Sequence, residues 1–304
     1  MEQRARRYDT ISFLSDYGHT DEFVGVVHSV IRSIAPDVAV VDITHGIARH
    51  DTRAGGLALA RAADYLCPGI VVAVVDPGVG TTRRAVAVEV GEGVSILLGP
   101  DNGLLAPAVG LVGGATRAFE LRAPEYRLAS AGGSTFDGRD VFAPAAAHLC
   151  AGVPLEALGP EIDPATLMPG VLPISRVEPG PDGDVLVCEG LWIDHFGNCQ
   201  LNLDPLELLP LGPEVVVTIR GEDRIGVRVD AFDEIPTGRV GLIADSSGLL
   251  AVAVARGSAA DELGLHDQTE IHIRALPEGD RPSGVVTPVE LGSRPIAPTE
   301  GDPA

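Results

Sequence analysis

Ile70-Val71-Val72-Ala73-Val74-Val75-Asp76-Pro77-Gly78-Val79-Gly80-Thr81-Thr82-Arg83 decides the fold of this chain. Six apolar residues, 70–75, read as a buried strand. The run stops on a carboxylate, turns through Pro-Gly, and reaches an arginine seven residues beyond the aspartate. A continuous apolar strand signals a parallel sheet covered on both faces. An acid at its carboxyl end followed by a glycine-rich loop is where open α/β sheets hold ligands.

Working outward, the same alternation recurs. Residues 11–14 form a short apolar strand that runs into Ser15-Asp16-Tyr17-Gly18. Residues 21–34 carry Phe23, Val26, Val27, Val30, Ile31 and Ile34 at helical spacing, with Asp21 as the expected N-cap. Residues 38–43 are a second strand, 51–66 an Ala-rich helix closed by Pro68-Gly69, and 85–90 and 94–98 two further strands. A helix is expected over 141–150, with Asp140 as its N-cap. The fold class is therefore α/β, a mainly parallel α/β sandwich over residues 8–165. Strand-end polar residues Asp16, Thr44, Asp76 and Asp101 are expected to line one carboxyl edge.

Residues 166–181 are Pro- and Gly-rich and read as a linker. Over 182–280 short strands alternate with turns and almost no helix, which predicts a small antiparallel β-barrel. Residues 281–304 lack periodicity and are expected to be disordered.

Bulk properties exclude several functions. The 304 residues are 45% hydrophobic and 21% charged, a globular balance. A net charge of -21 argues against nucleic acid or an anionic membrane surface as partner and suits a cationic small ligand. All 22 basic residues are arginine, so Schiff-base and P-loop lysines are excluded. Cys67, Cys150, Cys188 and Cys199 lack CxxC spacing, which gives neither a disulfide framework nor a zinc site. Cys199 is read as a space-filling core residue. The basic N-terminus is followed by no apolar segment, and no apolar run approaches the roughly 18 residues of a membrane span. The default location is the cytoplasm.

Each candidate has a structural and a functional reading. Asp16 suits a ribose diol or a turn cap. Asp76 and Arg83 suit a ligand or a plain ion pair across a turn. Gly78-Val79-Gly80 matches neither phosphate-loop pattern. Asp137 and Arg139 are not explained as caps, whereas His148 reads as a packed helix residue. Trp192-Ile193-Asp194-His195-Phe196-Gly197-Asn198 suits either base stacking with edge recognition or a tight hairpin turn. No HxH or HExxH spacing and no nucleophile elbow exist, so neither a metal nor a triad is expected.

Taken in order, Ser15-Asp16-Tyr17-Gly18, Asp42-Ile43-Thr44-His45, Asp76-Pro77-Gly78-Val79-Gly80-Thr81, Gly99-Pro100-Asp101-Asn102-Gly103-Leu104, Thr135-Phe136-Asp137-Gly138-Arg139-Asp140, Asp194-His195-Phe196-Gly197-Asn198 and Ser247-Gly248-Leu249-Leu250 resemble the S-adenosylmethionine (SAM) hydrolases. These SAM hydroxide adenosyltransferases are relatives of fluorinase and chlorinase. The resemblance implies an N-terminal α/β domain, a C-terminal β-barrel, and a homotrimer with active sites between one subunit's N-terminal domain and its neighbour's barrel. It implies attack of water on the 5′ carbon of SAM, releasing adenosine and methionine, with no cofactor. Asp76 and Arg83 match two parts of an Asp-Arg-His water-positioning set. Asp137 stands where the family carries histidine, and His50 stands where relatives often place an aromatic against substrate. Asp76 argues against a halogenase, the same-fold alternative. The histidine replacement makes a non-catalytic SAM or adenosine binder the alternative from another class. By position, Asp16 binds the ribose hydroxyls. Asn198 and Phe196 face the adenine, Asp194 and Ser246 hold the methionine ammonium and carboxylate, and Val254 touches adenine through its backbone.

Overall fold

The buried strand expected over 70–75 forms over Ile70–Val74, and the rest of the first sheet is built around it. The structure, a computed structural model, describes residues 8–129, 133–181 and 183–277. In chain order the first layer set contains β1 (Thr10–Ser15), α1 (Phe23–Ile34), β2 (Ala39–Thr44), α2 (Thr52–Ala63), β3 (Ile70–Val74), β4 (Ala85–Val90), β5 (Ser95–Pro100), α3 (Ala106–Leu111), β6 (Ala115–Glu120), a π turn (Gly138–Phe142) running into α4 (Ala143–Cys150), and β7 (Glu161–Ile162).

The strand order is β2-β1-β3-β5-β4-β6-β7. Pairings β2–β1, β1–β3 and β3–β5 are parallel, while β5–β4, β4–β6 and β6–β7 are antiparallel. All five residues of β3 are buried, because helices cover both faces. On one face Val27 and Ile31 of α1 pack with Ala143, Ala146 and Ala147 of α4 over Phe13, Val72 and Leu98. On the other, Leu59 of α2 and Ala108 of α3 cover Leu14, Val71, Val75 and Leu97. Each fully buried Val, Ile or Leu side chain contributes about 1.5–3 kcal/mol relative to exposure, so this double cover is what holds the parallel half together.

Alpha-helix α2 lies close to β3 because Gly55 has no side chain: a Cβ there would come within 2.9 Å of Val75 Cγ2. Asp51 caps α2 by accepting from the Ala54 N–H at 2.8 Å. The cap expected for α1 is displaced. Its N-cap is Glu22 rather than Asp21, and no side chain bonds the helix end.

The second sheet comprises β8 (Arg176–Gly180), β9 (Gly183–Ile193), β10 (Cys199–Leu201), β11 (Glu214–Ile219), β12 (Glu222–Val229), β13 (Val240–Ala244), β14 (Leu250–Val254) and β15 (Glu270–Ala275). A short helix α5 (Ala259–Leu263) precedes β15. The order β10-β14-β13-β12-β11-β15-β9 closes through a β9–β10 pairing into a seven-stranded barrel. Closure removes the free edges that a small open sheet would expose. All its pairs are antiparallel except β12–β13. Leu186, Leu201, Val217, Leu242, Val252 and Ile271 fill its interior, and Cys199 is fully buried among them.

The Pro/Gly-rich stretch between the two sheets is more ordered than its composition suggests. Part of the expected linker is strand β8, which pairs with β9. Arg84 Nη1 donates to Thr166 Oγ1 at 3.1 Å, and the Met168 N–H donates to Asp101 at 2.7 Å. The expected disordered tail lies outside the described residues. Between sheets, Arg53 of α2 pairs with Glu189 of β9 at 2.5 Å, and the Arg61 guanidinium sits 4.9 Å from the Trp192 ring centroid. Among the described residues, no helix is long and apolar enough to cross a membrane.

Candidate active site

Register places the site. Ser15 is opposite Val74 in the β1–β3 pair, and Leu14 is opposite Thr44 in the β1–β2 pair. The segments that follow these three strands therefore leave the sheet side by side. They meet residues 133–139 around a cavity of about 1000 Å³, lined by Asp16, Tyr17, His50, Asp76, Phe136 and Asp137 among others. The carboxyl edge of the parallel half thus opens on this cavity, where the strand-end acids Asp16 and Asp76 lie. Thr44 does not line it, and Asp101 is the exception among the acids. Its carboxylate is engaged by Arg84 at 2.5 Å and by the Met168 amide, and it does not line this cavity.

The loop after β3 is fixed from several sides. Asn102 Nδ2 donates to Val75 O at 2.9 Å, and Thr81 Oγ1 donates to Gly78 O at 2.6 Å. Gly80 adopts φ +78°, which favours glycine. The loop folds Arg83 back onto the acid that begins it. Arg83 Nε donates to Asp76 Oδ1 at 2.9 Å and Nη2 donates to Asp76 Oδ2. The same Nη2 donates to Asp137 Oδ2 at 2.5 Å. Asp76 is thus held by both oxygens, while Asp137 Oδ1 has no hydrogen-bond partner among the described residues. The Phe142 ring lies under the guanidinium at 5.6 Å.

Side-chain exposure is 5% for Asp76, 12% for Arg83 and 18% for Asp137. Burial by itself pushes the Arg83 pKa down. The hydrogen bonds and charges of Asp76 and then Asp137 outweigh it and hold the guanidinium above its ordinary value. Two formal negative charges and one positive leave the cluster anionic.

Tyr17 completes this wall, and spacing alone did not single it out, because a phenol beside a strand-end acid has no pattern of its own. Its ring meets Phe136 edge-on at 5.5 Å and Phe23 at 5.8 Å. Its hydroxyl packs against Gly138, where any Cβ would collide with it. Burial, and then the negative charges of Asp16, Asp76 and Asp137, push its pKa well above the ordinary phenol value, with Arg83 opposing. Tyr17 is therefore a neutral phenol in the field of three carboxylates.

Asp16 Oδ2 accepts from the His50 N–H at 2.9 Å. His50 takes φ +66° to present that amide, so its backbone positions Asp16. Asp140 is not an N-cap. The helix starts earlier, as the π turn, and continues without a break into α4, so Asp140 sits inside it. Its carboxylate instead receives Arg139 at 2.6 and 2.8 Å.

The barrel candidates lie apart from this cavity. Asp194 Oδ1 accepts from the Phe196 and Asn198 amides at 2.8 and 2.9 Å, and Oδ2 accepts from Asn198 Nδ2 at 2.8 Å. This is the tight-turn reading of the motif, and it leaves the Phe196 side chain 76% exposed at the tip. Ser246 is exposed in the turn before β14, and Val254 ends that strand. None of Asp194, Phe196, Asn198, Ser246 or Val254 lines the cavity of the same chain.

Residues 11–159 match the SAM hydroxide adenosyltransferase N-terminal domain, and residues 189–272 match the SAM hydroxide adenosyltransferase C-terminal domain. The chain belongs to the SAM hydroxide adenosyltransferase family. The (R)-S-adenosyl-L-methionine hydrolase of Salinispora tropica is 43% identical over 265 residues, 87% of this chain and 97% of that one. A fluorinase of Actinopolyspora mzabensis is 30% identical over 66% of this chain and 74% of its own. The crystal structure of an uncharacterized conserved protein from Thermotoga maritima superposes with a TM-score of 0.77 at 31% identity, covering 87% of this chain and 99% of that one. Within this family frame, the split between an α/β cavity and separate barrel residues describes the two halves in which the sequence motifs fall.

Proposed function

We propose that this chain hydrolyses S-adenosylmethionine to adenosine and methionine, acting in the cytoplasm. The observation that carries the reading is Arg83 bridging Asp76 and Asp137 on the wall of the cavity that also holds Asp16. Similarity to curated (R)-SAM hydrolases along most of the chain supports it. Four cysteines free of disulfides suit a reducing compartment.

The chemistry asks little of an acid, because the leaving group is a neutral thioether expelled from a sulfonium. It asks much of the nucleophile: bulk water has a pKa near 15.7 and must be held in line with the carbon–sulfur bond. Asp76, with both oxygens on Arg83, fixes the guanidinium. Asp137 Oδ1 accepts a hydrogen bond from the water and takes its proton as the O–C5′ bond forms. The C5′–S bond breaks with its electron pair going to sulfur, which loses its positive charge. The anionic cluster attracts the cationic sulfonium substrate into the cavity. Asp16 receives the ribose hydroxyls, and the His50 amide holds it in place.

Substrate closure comes from a second copy. We place Asn198, Phe196, Asp194, Ser246 and Val254 of a neighbouring subunit over the cavity, in a homotrimer. The exposed Phe196 and its absence from its own chain's cavity lining support this arrangement.

The test incubates pure protein with SAM and follows products by chromatography, with and without chloride. Equimolar adenosine and methionine are expected. 5′-Chloroadenosine would favour the halogenase, and tight SAM binding with no adenosine would favour a binding protein; either result overturns the hydrolase.

A further inference from the structure

A second group of ligating side chains lies beside the cavity, away from Asp76 and Arg83. His28 comes from α1, Asp42 from β2 and His45 from the segment after β2. His28 Nε2 and His45 Nε2 stand 2.9 and 3.0 Å from the same atom, Asp42 Oδ1. The donor atoms of all three residues lie within 4.8 Å of one another, the one such group among the described residues. Asp42 and His45 bound one of the quoted motifs, but no metal-ligand spacing announces the group, because the intervals of 14 and 3 residues are joined by the packing of α1 on the sheet.

His45 is the informative member. Its side chain is 1% exposed, and Nε2 is the buried nitrogen or oxygen that lacks a hydrogen-bond partner among the described residues. Asp42 Oδ1 lies 3.0 Å from Nε2 without meeting hydrogen-bond geometry. Buried polar atoms are rarely left in this state. A cation bound to Nε2, about 2.1 Å from the nitrogen, would find Asp42 at its side. Two ligands at right angles around such an ion, the square-planar arrangement of nickel, are about 3.0 Å apart, matching both His–Asp separations; tetrahedral zinc would spread them to about 3.4 Å. On the other side of the ring, His45 Nδ1 lies 2.8 Å from Ser15 Oγ. A metal-bound imidazole commonly donates its second N–H to a partner of this kind, which fixes its orientation.

We propose that His28, Asp42 and His45 form a site for one divalent transition metal ion of the zinc or nickel type. Two imidazoles and one carboxylate suit such ions better than magnesium or calcium, which prefer oxygen. His28 and Asp42 are 34% and 40% exposed, which leaves an entry path and room for water ligands. The ion would tie α1 to the segment after β2. That segment accepts the Gly18 N–H on His45 O at 2.8 Å and carries the His50 amide that holds Asp16. The role is structural, and it stands whether or not the cavity hydrolyses SAM.

The test uses tag-free, full-length protein stripped with chelator, titrated with Co(II) and then Zn(II), with visible absorption and equilibrium dialysis as readouts. One ion per chain is expected, with Zn(II) displacing Co(II). His28→Ala and Asp42→Asn, both at the exposed side of the site, should each weaken binding by about tenfold or more. His272→Ala, in the exposed His272–Glu270 pair, should leave it unchanged. Failure of the wild type to retain one ion per chain would overturn the proposal. So would unaltered affinity in a His28→Ala, Asp42→Asn double variant whose circular dichroism shows it folded.

Discussion

Arg83 Nη2 lies 2.5 Å from Asp137 Oδ2, although 54 residues separate them in sequence. The contact brings the residue that departs from the family pattern against Arg83 and Asp76 and leaves its second oxygen without a hydrogen-bond partner among the described residues. Asp137→Ala should therefore lower kcat by about 10²–10⁴-fold, the range of a lost general base. KM should shift only a few-fold, because no substrate-binding contact is removed. Asp137→His should retain measurable turnover and acquire a limb in its pH–rate profile near an imidazole pKa of about 6.5. Steady-state kinetics decide; unchanged kcat in Asp137→Ala makes the residue a bystander.

The same geometry carries a stability prediction. Arg83 is the cation between two carboxylates, and Asp76 beside it is almost fully buried. Arg83→Met keeps much of the volume over Phe142 but leaves buried charge uncompensated. Removing one partner from such a cluster costs about 3–5 kcal/mol. Urea unfolding of the variant should show a midpoint lowered accordingly with an unchanged m-value. A midpoint equal to wild type would mean that water reaches Asp76 freely.

Tyr17 supplies a pH test. Burial and the surrounding carboxylates raise its pKa, so the folded state keeps a proton that the unfolded chain releases near pH 10. Its stability contribution is complete below that pH and is lost as pH rises above it. Of the four tyrosines, Tyr17 should give no tyrosinate absorption until the protein unfolds in alkali. The wild-type minus Tyr17→Phe difference spectrum isolates it. A Tyr17 signal near pH 10 with the fold intact would contradict the burial argument.

The sheet and its cleft were legible because β3 is uniformly apolar and ends on an acid, a pattern that burial on both faces imposes. Asp76, Arg83 and Asp16 were legible for the same reason, being tied to strand ends. What sequence could not show depends on contacts across the fold. Asp101 looks like Asp76 by position, yet Arg84 and Met168 turn it into a brace. Asp140 has the composition of a cap, but the π turn moves the helix start past it. Strand β8 was hidden because its pairing with β9, not its own Pro- and Gly-containing sequence, makes it a strand. His28, Asp42 and His45 meet only when α1 packs on the sheet.

Gly138 and Tyr17 form a close contact of this kind, and it gives the last test. A Cβ at Gly138 would overlap the Tyr17 hydroxyl and lie 3.1 Å from Cζ of the same ring and 3.3 Å from Phe136 Cε2. The ring is hemmed in by Phe13, Phe23 and Phe136, so it has little room to retreat. Gly138→Ala should therefore cost about 1–3 kcal/mol, as overpacking does, and displace the adjoining Asp137 enough to lower turnover. Tyr17→Phe removes the overlapping oxygen but keeps the ring. In the double variant, part of the stability lost in Gly138→Ala should return, a coupling of about 0.5 kcal/mol or more between contacting residues. Thermal or urea unfolding of the four proteins closes the cycle. Strict additivity would show that Gly138 is needed for its backbone within the π turn rather than for the approach of the phenol.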